Sequence, residues 1–158
     1  MSRESDIQRR IDSLAERRAG LRDSISQYTN QVSTLTSQLD AKDQAIRAAE
    51  EFKTNSLQPL AKANEDFDKS LNSTGGMLSQ ALGGESSVVE ALRKLNSQGS
   101  ERIGNAISAC ERLIERLRRE RGNLSSQLTS ANNNLSTARS NVQSVQNTIN
   151  DLYREMRN

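Results

Sequence analysis

Apolar residues recur at alternating steps of four and three along the first third of this chain. The series runs Ile7, Ile11, Leu14, Arg18, Leu21, Ile25, Tyr28, Val32, Leu35, Leu39, Lys42, Ile46 and Ala49. Only Arg18 and Lys42 are charged, and both are long side chains that can fix a register or reach solvent. Such steps form the heptad repeat of a coiled coil, in which a narrow apolar seam faces a partner helix. The repeat predicts a long helix over residues 3–56.

The last third of the chain repeats this pattern. The series runs Ile103, Ile107, Cys110, Ile114, Leu117, Arg121, Leu124, Leu128, Ala131, Leu135, Ala138, Val142, Val145, Ile149, Leu152 and Met156. It predicts a second long helix over residues 100–157. We therefore expect an all-α chain that folds as an elongated antiparallel helical hairpin, a coiled coil. The heptad pattern by itself fits a parallel dimer equally well.

The middle of the chain contains the helix-breaking residues. Pro59 ends or kinks the first helix and suits the first turn of the next. Glycine pairs at 75–76 and 83–84 suggest a mobile tip, and the spacing of Ser87 and Glu90 fits a capping box. Residues 57–99 are thus expected to form kinked or short helices and a glycine-containing tip within a single helical domain.

The composition argues against catalysis. Only 33% of the 158 residues are hydrophobic, which suits a narrow seam better than a broad core, and there is no histidine. Cys110 is the only cysteine and falls on the seam, where it is expected to be a small buried side chain, with a redox role as the alternative. No catalytic, cofactor-binding or metal-ligating residues are predicted, although regulation of an enzyme stays open.

Charge and hydropathy also bear on partners. The net charge is +2, and the arginines of residues 112–121 alternate with Glu111, Glu115 and Glu120, so no nucleic-acid partner is expected. We expect neither a signal peptide nor stable membrane insertion, and a chain that is cytoplasmic when made. Lipid contact through Met77, Leu78 and Leu82 is an alternative, but the tip is short and poor in basic residues.

Two uncharged zones suggest how the helices pair. Residues 24–39 contain no charged side chain, and residues 123–150 contain only Arg139, with 19 of 28 residues being Asn, Ser, Thr or Gln. The two zones coincide in an antiparallel pair whose facing residue numbers add up to about 163. This register also brings a group of arginines close to a group of acidic residues. The arginines are Arg112, Arg116, Arg118, Arg119 and Arg121, and the acidic residues are Asp40, Asp43, Glu50 and Glu51. Since short polar side chains are poor helix formers, packing must hold residues 123–150 helical.

An uncharged surface is cheaper to desolvate than a charged one, so we expect these zones to dock against further helices, with a neutral solvated face as the alternative. The seam beneath them is the candidate partner-binding stalk. Its residues are Ile25, Val32, Leu35, Leu39, Leu124, Leu128, Leu135, Val142 and Val145. A homo-oligomeric coiled-coil scaffold or a phage structural component would use the same heptads.

Residues 63–69, Ala-Asn-Glu-Asp-Phe-Asp-Lys, with their Phe-Asp pair, resemble the region after the central break of YwqH-like proteins. Those proteins are relatives of the WXG100 proteins of type VII secretion systems and include LXG-associated helical proteins. The resemblance makes Phe67 and Asp68 the family-like motif residues. It implies binding to the helical domain of a secreted LXG-type toxin, together with a second small helical protein, as a targeting chaperone.

The Tyr-x-x-x-Asp/Glu secretion signal has no match here, since Val32 follows Tyr28 at that spacing and Arg157 follows Tyr153. Pro59, Leu60 and Ala61 stand where the family has Trp-x-Gly. The resemblance therefore implies that export, without a cleaved signal peptide, depends on a partner that carries the signal.

Overall fold

The computed structural model describes residues 2–157, and all the secondary structure in them is helical. The elements are α1 (Arg3–Phe52), a π-helical turn (Lys53–Leu57), α2 (Gln58–Leu82) and α3 (Ser87–Arg157). The chain reverses direction in the turn at residues 83–86, so that α3 packs antiparallel to the helices before it. The predicted all-α helical hairpin is confirmed.

The chain divides into two compact units. The first unit joins the residues up to Ala41 with those from Arg121 onward, and the second spans Lys42–Glu120. The helices continue through both boundaries, since α1 ends at Phe52 and α3 is one helix from Ser87 to Arg157. Each unit is an antiparallel helical layer with its own contacts.

In the first unit, the paired residues follow the predicted register. The Arg3 guanidinium contacts the Glu155 carboxylate at 3.0 Å, and Arg18 donates a hydrogen bond to the Gln146 side-chain oxygen. Between these contacts lies a core cluster of five buried residues. They are Ile7, Ile11, Val145, Ile149 and Leu152. All five were expected on the seam from the heptad pattern, and burial of their side chains supplies the main free energy of this layer.

The second unit keeps the same register. Lys42 donates a hydrogen bond to Glu120, and the Lys53 ammonium lies 3.0 Å from the Glu111 carboxylate. Arg118 pairs with Glu50, as the uncharged-zone register predicted. The charged seam residue Lys42 is thus satisfied across the helix pair.

Cys110 is buried in the second unit, where it clusters with Leu57 and Ile114. Its Sγ lies 3.4 Å from the carbonyl oxygen of Ala49 on the facing helix. The prediction that Cys110 is a small buried side chain is confirmed.

Pro59 lies in the first turn of α2, the position expected for it. The π-helical turn comes directly before it, and its backbone includes a bond from the Gln58 N–H to the Lys53 carbonyl, five residues back. Proline has no N–H, and its ring clashes with a carbonyl four residues earlier in an α-helix. The wider π turn accommodates that ring, so the chain passes from α1 to α2 without leaving helical structure.

The glycine-containing tip is shorter than the sequence suggested. Gly75 and Gly76 lie inside α2, which ends only at Gly83, in a left-handed conformation with φ of 70°. Helix α3 begins at Ser87, where the capping-box spacing predicts a helix start, and not near residue 100. Tertiary contact explains the difference, because α2 is held against α3 through Gly75.

Candidate functional site

The nine seam residues proposed for the stalk all lie in the first unit, and all face the interior of its helical layer. Leu35, Leu135 and Val145 are buried. The other six are half-buried, namely Ile25, Val32, Leu39, Leu124, Leu128 and Val142. These side chains build the helix pair itself. A partner of this unit would therefore meet the flanks of the seam.

We call these flanks the neutral flanks and define them as the exposed side chains of residues 24–39 and 123–150, among which only Arg139 is charged. Five of the hydroxyl groups on them are bonded within their own helices. Thr29 donates to the Ile25 carbonyl at 2.7 Å, and Thr129 donates to the Ser125 carbonyl at 3.1 Å. Thr36, Ser126 and Thr148 make the same bond to the carbonyl four residues earlier. A donor that is already bonded in this way is not left unsatisfied when another surface covers it.

Amide side chains on α3 are paired along the helix in the same manner. The Gln143 amide donates to the Asn147 side-chain oxygen at 3.0 Å, and Gln146 donates to Asn150 at 3.0 Å. Pairs at this spacing support a helix that lacks strong helix-forming residues. They also reduce the number of free polar groups that docking would have to desolvate.

A groove of about 170 Å³ opens beside the seam in the neutral flanks. It exists because Ala138, which is buried, and Ser24 leave little side-chain volume there. The half-buried ring of Tyr28 lines it, and no lining side chain is charged. The remaining lining residues are Leu21, Asn134, Thr137 and Asn141. The groove can receive an apolar side chain from an adjacent helix.

The second unit carries the charged contacts. A groove of about 400 Å³ is lined by side chains of both signs, including the Lys53–Glu111 and Arg118–Glu50 pairs. Arg116 lies 3.5 Å from Glu120, one of the pairs expected from the alternating charges. The hydrogen bond from Lys42 is the main cause that holds the pKa of Glu120 below its ordinary value. Desolvation opposes it, and the positive charges of Lys42, Arg116 and Arg119 add to the lowering. These charges stabilise the helix pair.

Sequence reasoning missed a reciprocal pair of asparagines in the second unit. The Asn64 amide donates to the Asn96 carbonyl at 3.3 Å, and the Asn96 amide donates to the Asn64 carbonyl at 3.2 Å. Asn96 is 8% exposed and also lies 3.5 Å from the Asp68 carboxylate. Asn96 lies seven residues after Val89 and seven before Ile103, and this heptad spacing was the signal in the sequence that Asn96 lies on the seam.

The second unit also exposes large apolar side chains, which we call the apolar face. Its members lie on α2 and the start of α3. They are Leu60, Phe67, Leu78, Val88, Leu92 and Leu95. Phe67 of the family-like motif is thus 47% exposed, whereas the neighbouring Asp68 contacts Asn96 across the helix pair.

Across residues 2–157, no cluster of three or more His, Cys, Asp or Glu side chains could hold a metal ion. None of the helices there has the length and apolar character needed to cross a bilayer. A scan of protein-family models, and searches of curated proteins and of solved structures, found no match to this chain.

Proposed function

We propose that this chain is a non-enzymatic helical partner protein that works by docking helices of another protein against its neutral flanks. The observation that carries the proposal is a surface with a single charged side chain, Arg139, on which five hydroxyls, including those of Thr29 and Thr129, are bonded within their own helices. Such a surface loses less when it is desolvated than a charged surface does. A helix that packs there can place an apolar side chain in the groove beside Tyr28.

The partner that we propose is the helical N-terminal domain of a secreted LXG-type toxin, and the role is that of a targeting chaperone for type VII export. Support for this identity comes from the resemblance of residues 63–69 to YwqH-like proteins. In this role the chain is made in the cytoplasm and leaves with a partner that carries the secretion signal. A second small helical protein would complete the complex.

An affinity purification of the tagged chain from its native cells tests the proposal, with co-purifying proteins identified by mass spectrometry. We expect a toxin with a long helical N-terminal domain in near-equal amount. Recovery of the chain with no protein of this kind would refute the toxin-partner function.

Two charge-introducing variants then locate the contact. Ser125→Glu and Ser136→Glu place a carboxylate on the exposed neutral flank of α3 and should reduce partner recovery at least tenfold. Ser108→Glu is the matched control, because it adds the same charge to an exposed site in the charged part of the same helix. Equal recovery with all three variants would show that the partner binds elsewhere.

A homo-oligomeric scaffold is the second candidate function, and the exposed apolar face favours it. The two candidate functions predict purified complexes of different composition. A scaffold purifies from its native cells as a discrete oligomer of this chain without the toxin.

A further inference from the structure

The six residues of the apolar face lie on one side of the helical layer of the second unit. Each of them directly precedes a residue that is buried, half-buried or in contact with the other helix. These following residues are Ala61, Asp68, Ser79, Val89, Arg93 and Asn96. Moving back one residue along a helix turns the side-chain direction by about 100° in a fixed sense. Two antiparallel helices in a layer are related by a two-fold axis perpendicular to that layer, and this axis does not exchange the two sides of the layer. A side chain one residue before an interface residue therefore lies on the same side of the layer in α2 and in α3.

The register places the members of the face beside one another. Asn64 pairs with Asn96, and Gly75 lies against Val89, so Phe67 is level with Leu95 and Leu78 is close to the level of Val88. From Leu60 to Leu78 the face extends about 27 Å along α2 at 1.5 Å per residue. It is therefore a continuous surface and not a set of scattered side chains.

The helix pair does not use these large side chains to hold itself together. Its interface in this region combines buried Leu71 and Val89 with small and polar residues, among them Ala61, Gly75 and Asn96. The small residues let the two backbones approach. The six large apolar side chains of the apolar face remain on one outer side.

Four of the five charged side chains of α2 lie away from the apolar face and pair with each other. Lys62 contacts Asp66 at 3.9 Å, and Lys69 contacts Glu65 at 3.2 Å, whereas Asp68 contacts Asn96. On α3, Arg102 directly precedes half-buried Ile103 and so lies at the Leu60 end of the same side. The rest of the face is apolar and is complementary to an identical face.

The exposed area comes close to what a dimer requires. An aromatic residue has about 150–250 Å² of accessible surface and Leu and Val have less, so the six residues at 36–66% exposure offer roughly 500 Å². With the small side chains between them, this approaches the roughly 800 Å² per partner of a standard protein interface. It is at the upper end of the apolar patches that monomers expose, about 300–600 Å².

We propose that the apolar face pairs with the same face of a second copy of this chain, so that two hairpins form a four-helix bundle through their second units. The two-fold axis passes near the level of Phe67, which is close to the middle of the face. Facing residues then interdigitate as in other helix bundles. This dimer rests on the second candidate function and gives it a defined interface and symmetry, and it is independent of toxin docking at the neutral flanks of the first unit.

Sedimentation velocity of the full chain from about 1 to 100 μM, a range that brackets ordinary dimer affinities, tests the proposal. We expect a dimer at the upper concentrations. Phe67→Glu and Leu95→Glu should each weaken dimerisation at least a hundredfold, because each buries a carboxylate in the interface. Met77→Glu is the matched control, since Met77 is exposed and lies one residue, or about 100°, away from Leu78.

Circular dichroism of every variant shows whether its helices are retained, and Phe67→Ser replaces Phe67→Glu if the latter unfolds. A monomeric wild-type chain throughout the concentration range would overturn the proposal. A dimer that Phe67→Glu and Leu95→Glu leave intact would overturn it as well, because the copies would then meet through another surface. Neither result bears on toxin recovery, which the neutral-flank variants test.

Discussion

Asn96 is a buried amide at a position where the heptad pattern of α3 would favour an apolar residue. Its side chain bonds to the Asn64 carbonyl, and the Asn64 side chain bonds back to the Asn96 carbonyl. Both bonds are made only in one register of α2 against α3. A single polar residue that is satisfied in only one alignment is a known means of setting helix register.

Asn96→Ala should lower the free energy of unfolding by about 1–2 kcal/mol, because it removes hydrogen bonds from a site that excludes most water. Urea denaturation followed by circular dichroism measures the change. Ser97→Ala, at an exposed neighbouring position, should stay within about 0.5 kcal/mol of the wild type. Equal effects of the two variants would contradict the role given to Asn96.

Glu120 makes the stability of the second unit depend on pH. The hydrogen bond from Lys42 lowers the pKa of Glu120 in the folded chain. A carboxyl group whose pKa is lower in the folded than in the unfolded state stabilises the fold, and this stabilisation is complete at pH values above its ordinary pKa. The stabilisation is lost as the pH falls through the lowered pKa of the folded state.

Glu120→Gln should therefore lose less stability than the wild type as the pH falls from about 6 to about 3. Lys42→Met should weaken the dependence of the unfolding free energy on pH in the same way, because it removes the main cause of the lowered pKa of Glu120. Urea midpoints across the pH series provide the measurement. Parallel profiles for all three proteins would show that this pair does not contribute to acid stability.

At the scale of single elements, α2 depends on its contact with α3. A Cβ atom at Gly75 would lie 3.0 Å from Val89 Cγ1 and 2.6 Å from Arg93 Nη2, whereas a Cβ at Gly76 would meet nothing within 4 Å. The sequence suggests a mobile tip for both glycines, because glycine weakens a helix and nothing local reveals which one the neighbouring helix approaches.

Gly76→Ala should raise the free energy of unfolding by about 0.5–1 kcal/mol through helix propensity alone. Gly75→Ala gains the same propensity but must displace Val89, so we expect it to be less stable than Gly76→Ala by about 1–2 kcal/mol. Thermal or urea unfolding of the matched pair tests this. The same gain from both substitutions would mean that the close approach at Gly75 carries no energetic weight.

Residues 123–150 show the opposite balance between local and tertiary effects. The segment contains few residues with a strong helix propensity, yet every residue from 123 to 150 is helical in α3. Buried Ala131, Leu135 and Ala138 hold the segment against α1, as the reasoning from composition predicts. Its helical state is thus a consequence of packing, since isolated segments of this composition are marginal helices.

At the scale of the whole molecule, the core is shallow. Ile149 is 3% exposed and lies in the core cluster of the first unit, but a layer of paired helices has solvent on both sides. Truncation of such a residue removes apolar contact without leaving a closed cavity, because the flanking side chains can move toward the gap. The cost should be close to the transfer term alone.

Ile149→Ala should therefore cost about 2–3 kcal/mol, near the lower end of the usual range for core truncations to alanine. Asn147→Ala, exposed on the same helix, should change stability by less than about 0.5 kcal/mol. Denaturant titrations give both values. A loss near 5 kcal/mol would indicate a closed core at Ile149.

Much of the hairpin could be predicted because its determinants repeat along the chain. Steps of four and three identified Ile11, Leu35 and Ile149 as seam residues, and each is buried. The two uncharged zones indicated the register, and the Arg118–Glu50 pair is one of the contacts between arginines and acidic residues that this register predicted. The stalk residues of the candidate site were located by the same repeat, whereas their role toward a partner is a prediction that the binding experiments address.

The sequence by itself determined the helical class, the seam of the first unit and the antiparallel register, because periodicity and charge segregation are properties of each helix alone. Only the tertiary structure decided which side of α2 meets α3. Two stripes compete there. One combines Leu71 with small and polar residues such as Gly75 and Asn64, and the other carries the exposed large apolar residues such as Phe67. The stripe with Gly75 faces α3 because it permits close backbone approach and the asparagine pair, and this leaves the apolar face outside.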